Sequence, residues 1–215
     1  MTFSEYIDSR SERVVDLTIE HAEVVLLSIA IATVLAVGVG IAVYRRERAA
    51  AVALAVAGVF LTIPSFALFG LLIAPLGLGY PPTVVALVLY ALLPILRNTV
   101  TGLRGVDPAV LEAARGMGMS TRRRLLRIEL PLAWPVILTG IRVSTLLSLG
   151  IAAIAAAING PGLGDLIFEG LGRIGAVNAV NETLAGILGI VVLALLFDVL
   201  FFGVRRLTIS RGARP

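Results

Sequence analysis

The chain has 215 residues, of which 58% are hydrophobic and only 15% charged, and its mean hydropathy of +0.99 excludes an ordinary soluble domain. Its formal net charge is +4, and it has no cysteine, which excludes disulfides and thiol chemistry. All 18 basic residues are arginine, so a standard phosphate-binding loop, which needs a lysine, is also excluded. The composition predicts an all-α integral membrane protein that leaves any ATP hydrolysis to another chain.

Five apolar segments are long enough to cross a bilayer as helices, which takes about 20 residues each. An acidic arm, residues 1–23, precedes them; it lacks the basic start of a cleaved signal peptide, so the first span is expected to remain in the mature protein. The third span requires its last residues to stay helical, because its uninterrupted apolar part stops at Arg97. The predicted spans are Val24–Tyr44, Ala49–Ala74, Thr83–Leu103, Leu132–Ile158 and Leu184–Val204.

The arginines lie mostly on one side of these spans, and positively charged flanks of short loops stay in the cytoplasm. The pattern predicts an N-terminus outside and a C-terminus inside. The transmembrane domain, residues 24–204, then has a cytoplasmic loop at 104–131, an outer loop at 159–183 and a cytoplasmic tail at 205–215. The arginines assigned to the cytoplasm are Arg45, Arg46, Arg48, Arg97, Arg104, Arg115, Arg122, Arg123, Arg124, Arg127, Arg205, Arg206, Arg211 and Arg214.

The cytoplasmic loop contains signals for a short helix. Asp107 is a good N-cap and Pro108 a good first helical residue, so a helix should begin there. It should end near Gly116 or Gly118, where glycine permits a left-handed exit. One compact helix is therefore predicted at the tip of the loop.

A second helix of the loop should begin after Ser120, a good N-cap, and end where Pro131 opens the next apolar run. Its apolar residues oppose a row of arginines, which predicts an amphipathic helix. The pair Ala113-Ala114 would let a neighbouring protein approach closely, and Glu112 could pair with a basic group across that contact. The alternative is an amphipathic linker lying on the lipid surface, with its arginines facing anionic head groups.

Prolines inside three of the spans predict bends. Each removes a backbone hydrogen bond that a neighbouring group or water in a cavity must satisfy. Plain packing explains any single one of them, because proline and glycine are common in membrane helices. As a set they suggest a pathway, and the candidate pathway residues are Thr62, Pro64, Ser65, Pro94 and Asn98.

Two charged residues are predicted to lie inside spans, Arg142 in the fourth and Asp198 in the fifth. An intramembrane charge is costly unless it is partnered or reaches water. A salt bridge between neighbouring helices is the leading hypothesis, and a role in solute passage is the second.

The outer loop begins with three alternating glycines, Gly160, Gly162 and Gly164, and its apolar spacing over 165–172 predicts a short interfacial helix. Two interpretations are open, an outer gate and a tight turn capped by a surface helix. His21, the only histidine, is expected at the outer membrane boundary and is too isolated for a metal cluster, so no metal site is predicted. A membrane-embedded enzyme would need acids and histidines gathered at one depth, and none are found.

The frame of the cytoplasmic loop is specific. Glu112-Ala113-Ala114 is followed after three residues by Gly118 and after nine more by Ile128-Glu129-Leu130-Pro131. This frame resembles, without a gap, the EAA loop of ABC-importer permease subunits. The resemblance implies a type I importer fold in a prokaryotic inner membrane, with a coupling helix that binds a separate ATPase; that subunit would hold ATP and magnesium, while this chain holds no cofactor. The implied coupling residues are Glu112, Ala113, Ala114, Arg115, Gly116, Gly118 and Arg122.

Residues 62–70 and 90–99 resemble the branch of this family that imports osmoprotectants such as glycine betaine, carnitine, choline and proline betaine. The likeness implies a dimer of identical or different permease chains, two ATPase subunits and an extracytoplasmic binding protein that docks near Gly160, Gly162 and Gly164. Membrane lipid is an expected partner and nucleic acid is not. The alternatives are a permease for another small polar solute, such as an amino acid, and an ATP-independent channel or secondary transporter.

Overall fold

The computed structural model describes residues 1–208, which are helical almost throughout and contain no strand. Residues 209–215, with Arg211, Arg214 and most of the predicted tail, lie outside the described part. The helices are α1 Phe3–Val43, α2 Glu47–Thr62, α3 Ser65–Leu76, α4 Tyr80–Arg104, α5 Pro108–Gly116, α6 Thr121–Arg124, a π-helical turn Leu125–Glu129, α7 Leu130–Ile154, a 3-10 turn Ala155–Ile158, α8 Gly164–Gly172 and α9 Ala179–Thr208.

The predicted arm and first span form one continuous helix. With 41 residues, α1 is roughly 60 Å long at 1.5 Å per residue, twice the thickness of the hydrocarbon layer. A capping box at Thr2 and Glu5 starts it, because each residue's side chain accepts from the other's backbone N–H. The arm packs through Tyr6 and Leu17 against the region of α8 and α9. Charge alone distinguishes the arm, and the backbone does not break at residue 23.

The second predicted span is broken rather than kinked. Helices α2 and α3 meet at an angle of 98°, so Ala49–Ala74 is not one straight crossing element. Ile63 precedes a proline and adopts an extended conformation, from which Pro64 starts α3 in a new direction. The hydroxyl of Tyr90 on α4 donates to the Ile63 carbonyl at 2.6 Å, which satisfies a backbone acceptor at the break. Four described helices are long and apolar enough to cross a membrane, or five if this pair counts as one span.

Helices α1, α4 and α7 form the main core. Helix α4 continues through Arg97 to Arg104, which confirms that the last residues of the third predicted span stay helical. Gly140 of α7 lies so close to α4 that an added Cβ would be 2.7 Å from the Asn98 Cβ and 2.8 Å from the Pro94 carbonyl oxygen. The glycine is therefore required for the close packing of these two helices.

The sequence predicted that the second helix of the loop ends at Pro131. In the structure it continues past that residue. Helix α6, the π-helical turn and α7 follow one another without a break from Thr121, and the 3-10 turn extends this element to Ile158. Proline lacks an N–H and its ring collides with the carbonyl four residues earlier. The wider π-helical turn lies directly before Pro131 and accommodates the ring, so the loop helix and the fourth span are one mechanical unit.

Candidate functional site

The segment 107–122, here called the knob, has the local structure that its sequence predicts. The Asp107 side chain accepts a hydrogen bond from the Ala109 N–H at 2.8 Å, and Pro108 is the first residue of α5. The helix ends at Gly116, and Gly118 follows in the left-handed region with φ +77°. The Ser120 hydroxyl accepts from the Arg123 N–H at 3.4 Å and caps α6. Helix, bend and second helix are confirmed.

One face of α5 is free within this chain. Glu112, Ala113, Arg115 and Gly116 are exposed, and so are Gly118 and Arg122 beyond it. Sequence reasoning missed that Val110 and Met117 are exposed too, Met117 by 74%. Val110, Ala113 and Met117 are spaced three and four apart and share one side of the helix. An apolar stripe with helical spacing inside a polar loop was the signal for them.

Ala114 corrects the predicted contact surface. Its side chain is 1% exposed, so it packs inside this chain and is not available to a partner. Its carbonyl accepts the Met119 N–H at 3.1 Å and thereby closes the turn around Gly118. Of the alanine pair, only Ala113 lies on the surface.

A buried cluster around Glu129 connects the base of the knob to α1. The Glu129 carboxylate accepts hydrogen bonds from the Tyr44 hydroxyl at 2.5 Å, Arg45 Nη2 at 2.8 Å and Arg124 Nε at 3.0 Å. Arg104 Nε also donates to the Tyr44 carbonyl at 2.7 Å. Charge-assisted hydrogen bonds of this kind are the strong ones. Sequence reasoning did not find the cluster; its signal was an acid placed between Ile128 and Leu130, where solvent cannot reach it.

Arg142 and Asp198 form the predicted ion pair between α7 and α9. Arg142 Nε lies 2.6 Å from Asp198 Oδ1, and the two side chains are 48% and 41% exposed. Beside them lies a cavity of about 90 Å³, also lined by Thr139, Phe201 and Arg205. The pair is therefore on the outside of the single chain.

The five pathway candidates lie at two places. Thr62, Pro64 and Ser65 are at the break between α2 and α3, where the Thr62 hydroxyl donates to the Val59 carbonyl of its own helix. Pro94 and Asn98 are partly buried at the contact of α4 with α7, and Asn98 Nδ2 donates to the Pro94 carbonyl at 2.8 Å. These hydrogen bonds are local to each helix, so a shared pathway role stays a prediction.

The three glycines of the predicted outer loop are packing positions. The region 159–183 is here called the cap, and Gly160, Gly162 and Gly164 are all buried in it. A Cβ added at Gly162, which has φ +111°, would be 2.7 Å from the Cβ of His21, and Gly164 lies directly against the Ala153 carbonyl. The surfaces of these glycines are covered by their own chain, and the tight turn is followed by a helix as predicted. An outer gate and docking of a binding protein near these residues stay predictions.

His21 is fully buried within the chain. Its predicted position at the outer membrane boundary concerns depth in the membrane and stays a prediction. Its Nε2 lies 3.0 Å from the Leu149 carbonyl, which fixes the ring between α1 and α7. In residues 1–208 no group of three or more histidine, cysteine, aspartate or glutamate residues could hold a metal ion.

Ion pairs connect the cap to the first helix. Arg13 of α1 lies 2.6 Å from a Glu169 oxygen and 3.8 Å from one of Glu182, and Arg173 contacts both acids at 3.4 and 3.8 Å. The hydrogen bond from Arg13 lowers the pKa of Glu169 below its ordinary value of 4.5. Sequence reasoning could not find this cluster, because its members come from three distant segments.

Comparisons with known proteins agree with this architecture. A family model described as "Binding-protein-dependent transport system inner membrane component" matches residues 32–209. The chain is 36% identical over 205 residues to the choline transport system permease protein OpuBB of Bacillus subtilis (strain 168), covering 95% of this chain and 93% of that one. It is 38% identical over 215 residues to the osmoprotectant import permease protein OsmW of Salmonella typhimurium, covering 97% and 98%.

The fold also matches a solved structure. An inward-facing conformation of the MetNI methionine ABC transporter superposes with a TM-score of 0.79 at 20% identity, covering 92% of this chain and 96% of that one. Together with the family match over most of the chain, this establishes the architecture that the loop frame implied. The chain belongs to the family of binding-protein-dependent transport system inner membrane components, as a multi-pass permease of the prokaryotic inner membrane with the type I ABC-importer fold.

Proposed function

We propose that this chain forms the translocation pathway of an ATP-driven importer of osmoprotectants, small quaternary ammonium solutes such as choline and glycine betaine. The support is the pair of relatives whose names specify choline and osmoprotectants, both of which align over nearly their whole length. An amino-acid solute is the weaker alternative, since the methionine transporter is only 20% identical and contributes the fold alone.

The proposed complex contains two permease chains, two ATPase subunits that carry ATP and magnesium, and an extracytoplasmic binding protein. This chain has no lysine and so no standard phosphate-binding loop, which assigns hydrolysis to a partner. Selection of a quaternary ammonium group generally uses an aromatic cage, and only 6% of this chain is aromatic. The cage is therefore assigned to the binding protein.

The exposed stripe along α5 is the observation that carries the proposed contact with the ATPase. Val110, Ala113 and Met117 present an apolar face outside the core, next to the charges of Glu112 and Arg115. A helix with exposed apolar anchors at this spacing suits a groove on a soluble protein. We assign these residues, with Gly116, Gly118 and Arg122 at the edge, to the contact with the ATPase.

The structural connections of the knob suggest how closure of the ATPases would reach the membrane. Ser120 joins the knob to the helix that continues as α7, and Glu129 links the same helix to the end of α1. Movement of α5 would therefore displace α7 and α1 together. In the proposed mechanism, ATP binding draws the ATPases together and switches the paired chains from inward- to outward-facing, and hydrolysis resets them.

The test compares two substitutions at one position in the full complex in vesicles. Gly118→Val should uncouple ATP hydrolysis from uptake, because a β-branched residue costs about 1–2 kcal/mol or more at φ +77°. Gly118→Asn is the control, since asparagine tolerates the left-handed region and the described part of the chain leaves the space beside Gly118 open. Normal coupled uptake by Gly118→Val would refute the coupling contact, and a wild-type complex that imports no quaternary ammonium solute would refute the substrate class.

A further inference from the structure

The ion pair of Arg142 and Asp198 has surroundings that its structural role does not explain. Asp198 lies seven residues before Arg205, which places it about 10 Å along α9 from the arginines at the end of that helix. Both side chains of the pair are nearly half exposed on the single chain. Lipid hydrocarbon is a costly neighbour for charges at that depth. This face of α7 and α9 is therefore turned towards water or another polypeptide.

The cavity beside the pair combines two kinds of recognition chemistry. Asp198, Phe201 and Phe202 line the cavity. They can attract a cation that has no hydrogen to donate, the carboxylate by its charge and the rings by cation–π interaction. The guanidinium of Arg206 already lies 5.2 Å from the centroid of Phe202, so that ring does accept a cation. Arg142 and Arg205 also line this cavity and supply donors for a carboxylate.

We infer that this cavity is a transit site for a zwitterionic solute that carries a methylated ammonium group and a carboxylate. The inference rests on the proposed function and specifies where in the chain such a solute binds during passage. The ammonium group lies against Asp198 and the two phenylalanine rings, and the carboxylate against Arg142 and Arg205. The solute replaces the ion pair by two new ones, its ammonium group with Asp198 and its carboxylate with Arg142. Each residue therefore has a partner of opposite charge when the solute is bound.

The same arrangement predicts weak binding at this site. The solute must break the contact between Arg142 Nε and Asp198 Oδ1, at 2.6 Å, to gain its own contacts. A transit site must release its solute, and this competition within the pair favours release. The cavity of about 90 Å³ on one chain holds several water-sized groups and is open, so a second permease chain across the pathway would complete it.

The test compares uptake of glycine betaine, a zwitterion, with uptake of choline, which has no carboxylate. The full complex is reconstituted in vesicles and assayed at saturating binding protein, so that capture outside the membrane does not limit the rate. Arg142→Gln should lower betaine uptake relative to choline uptake by about tenfold to a hundredfold, the value of a charge-assisted hydrogen bond. Arg142→Lys should restore part of the betaine rate. Asp198→Asn should shift the ratio in the opposite direction.

A purely structural pair predicts different results. If each single variant lowered both rates equally, or if wild-type vesicles imported choline and not betaine, the transit site would be overturned. Wild-type vesicles that import neither solute would overturn the proposed function and the site with it. Where a single variant fails to assemble, the double variant Arg142→Gln/Asp198→Asn leaves no unpaired charge. It should lose at least about tenfold of both rates, and full transport by it would overturn the site.

Discussion

Gly118 of the knob and Gly162 of the cap both have positive φ, and these two glycines have opposite surroundings. Among residues 1–208, apart from its two chain neighbours, no atom lies within 4 Å of the place where a Cβ of Gly118 would be, whereas Gly162 of the cap presses against His21 of α1. The knob is shaped by hydrogen bonds to its own N-cap residues, Asp107 and Ser120, which leaves its surface free. The cap is shaped by helices that are distant in sequence. Glycines of similar conformation can therefore belong to a partner surface or to the core of their own chain.

The largest effect is expected at the base of the knob, where a contact with a distant segment, the end of α1, replaces the local hydrogen bonds. Glu129→Gln should lower the free energy of unfolding by about 3–5 kcal/mol, because Arg124 and Arg45 would lose the buried carboxylate that they share. Chemical unfolding in mixed micelles measures this loss.

The matched control is Glu112→Gln, the same change at an exposed glutamate of the knob, which should alter stability by no more than about 0.5 kcal/mol. Equal stability of the two variants would show that the knob does not depend on its connection to α1.

A smaller loss is expected at the turn of the cap. Gly162→Ala places a Cβ against His21 at φ +111°, and strain plus overpacking should cost about 2–4 kcal/mol. The measurement is the same unfolding experiment. Gly172→Ala is the control, since Gly172 ends α8 with open space around it and alanine favours helix. Wild-type stability of Gly162→Ala would contradict the view that the cap is held by close packing on α1.

The smallest effect should come from the ion pairs between the cap and α1. Arg13→Gln removes the hydrogen bond to Glu169 and should cost about 1 kcal/mol or less, since both side chains are about one-third exposed. Because the pKa of Glu169 is lowered in the fold, the contact stabilises fully above pH 4.5 and is lost as the pH falls through the lower folded value. The difference in melting temperature between wild type and Arg13→Gln should therefore shrink in acid. If that difference in melting temperature did not depend on pH, the loss of stability would come from the packing of Arg13 and not from its ion pair.

Local sequence signals predicted the knob well and the cap poorly. Neighbours within four residues decide the helix N-caps at Asp107 and Ser120 and the left-handed conformation of Gly118. These features could therefore be located without a structure. The covered side chain of Ala114 could not, because α5 has two faces and only packing selects the exposed one. The same holds for the buried ring of His21, whose partner carbonyl is 128 residues away.

The broken second span shows the same division. Pro64 predicted a bend, since proline cannot continue the helix hydrogen bonds. The angle of 98° follows from the extended Ile63 and from its contact with Tyr90, a residue of another helix. Pro131 is the reverse case, where a π-helical turn absorbs the proline and the helix continues.

By itself, the sequence determined the class of protein, the apolar segments, both ends of α5, the start of α6 and the family, because each depends on composition or on residues close together in the chain. The pairing of Arg142 with Asp198 was a hypothesis that needed two helices to be neighbours. Tertiary structure alone decided which knob residues face outward, that Glu129 joins the knob to α1, and that the glycines of the cap are buried. Those features depend on contacts between segments far apart in sequence, whose relative positions only the packed helices specify.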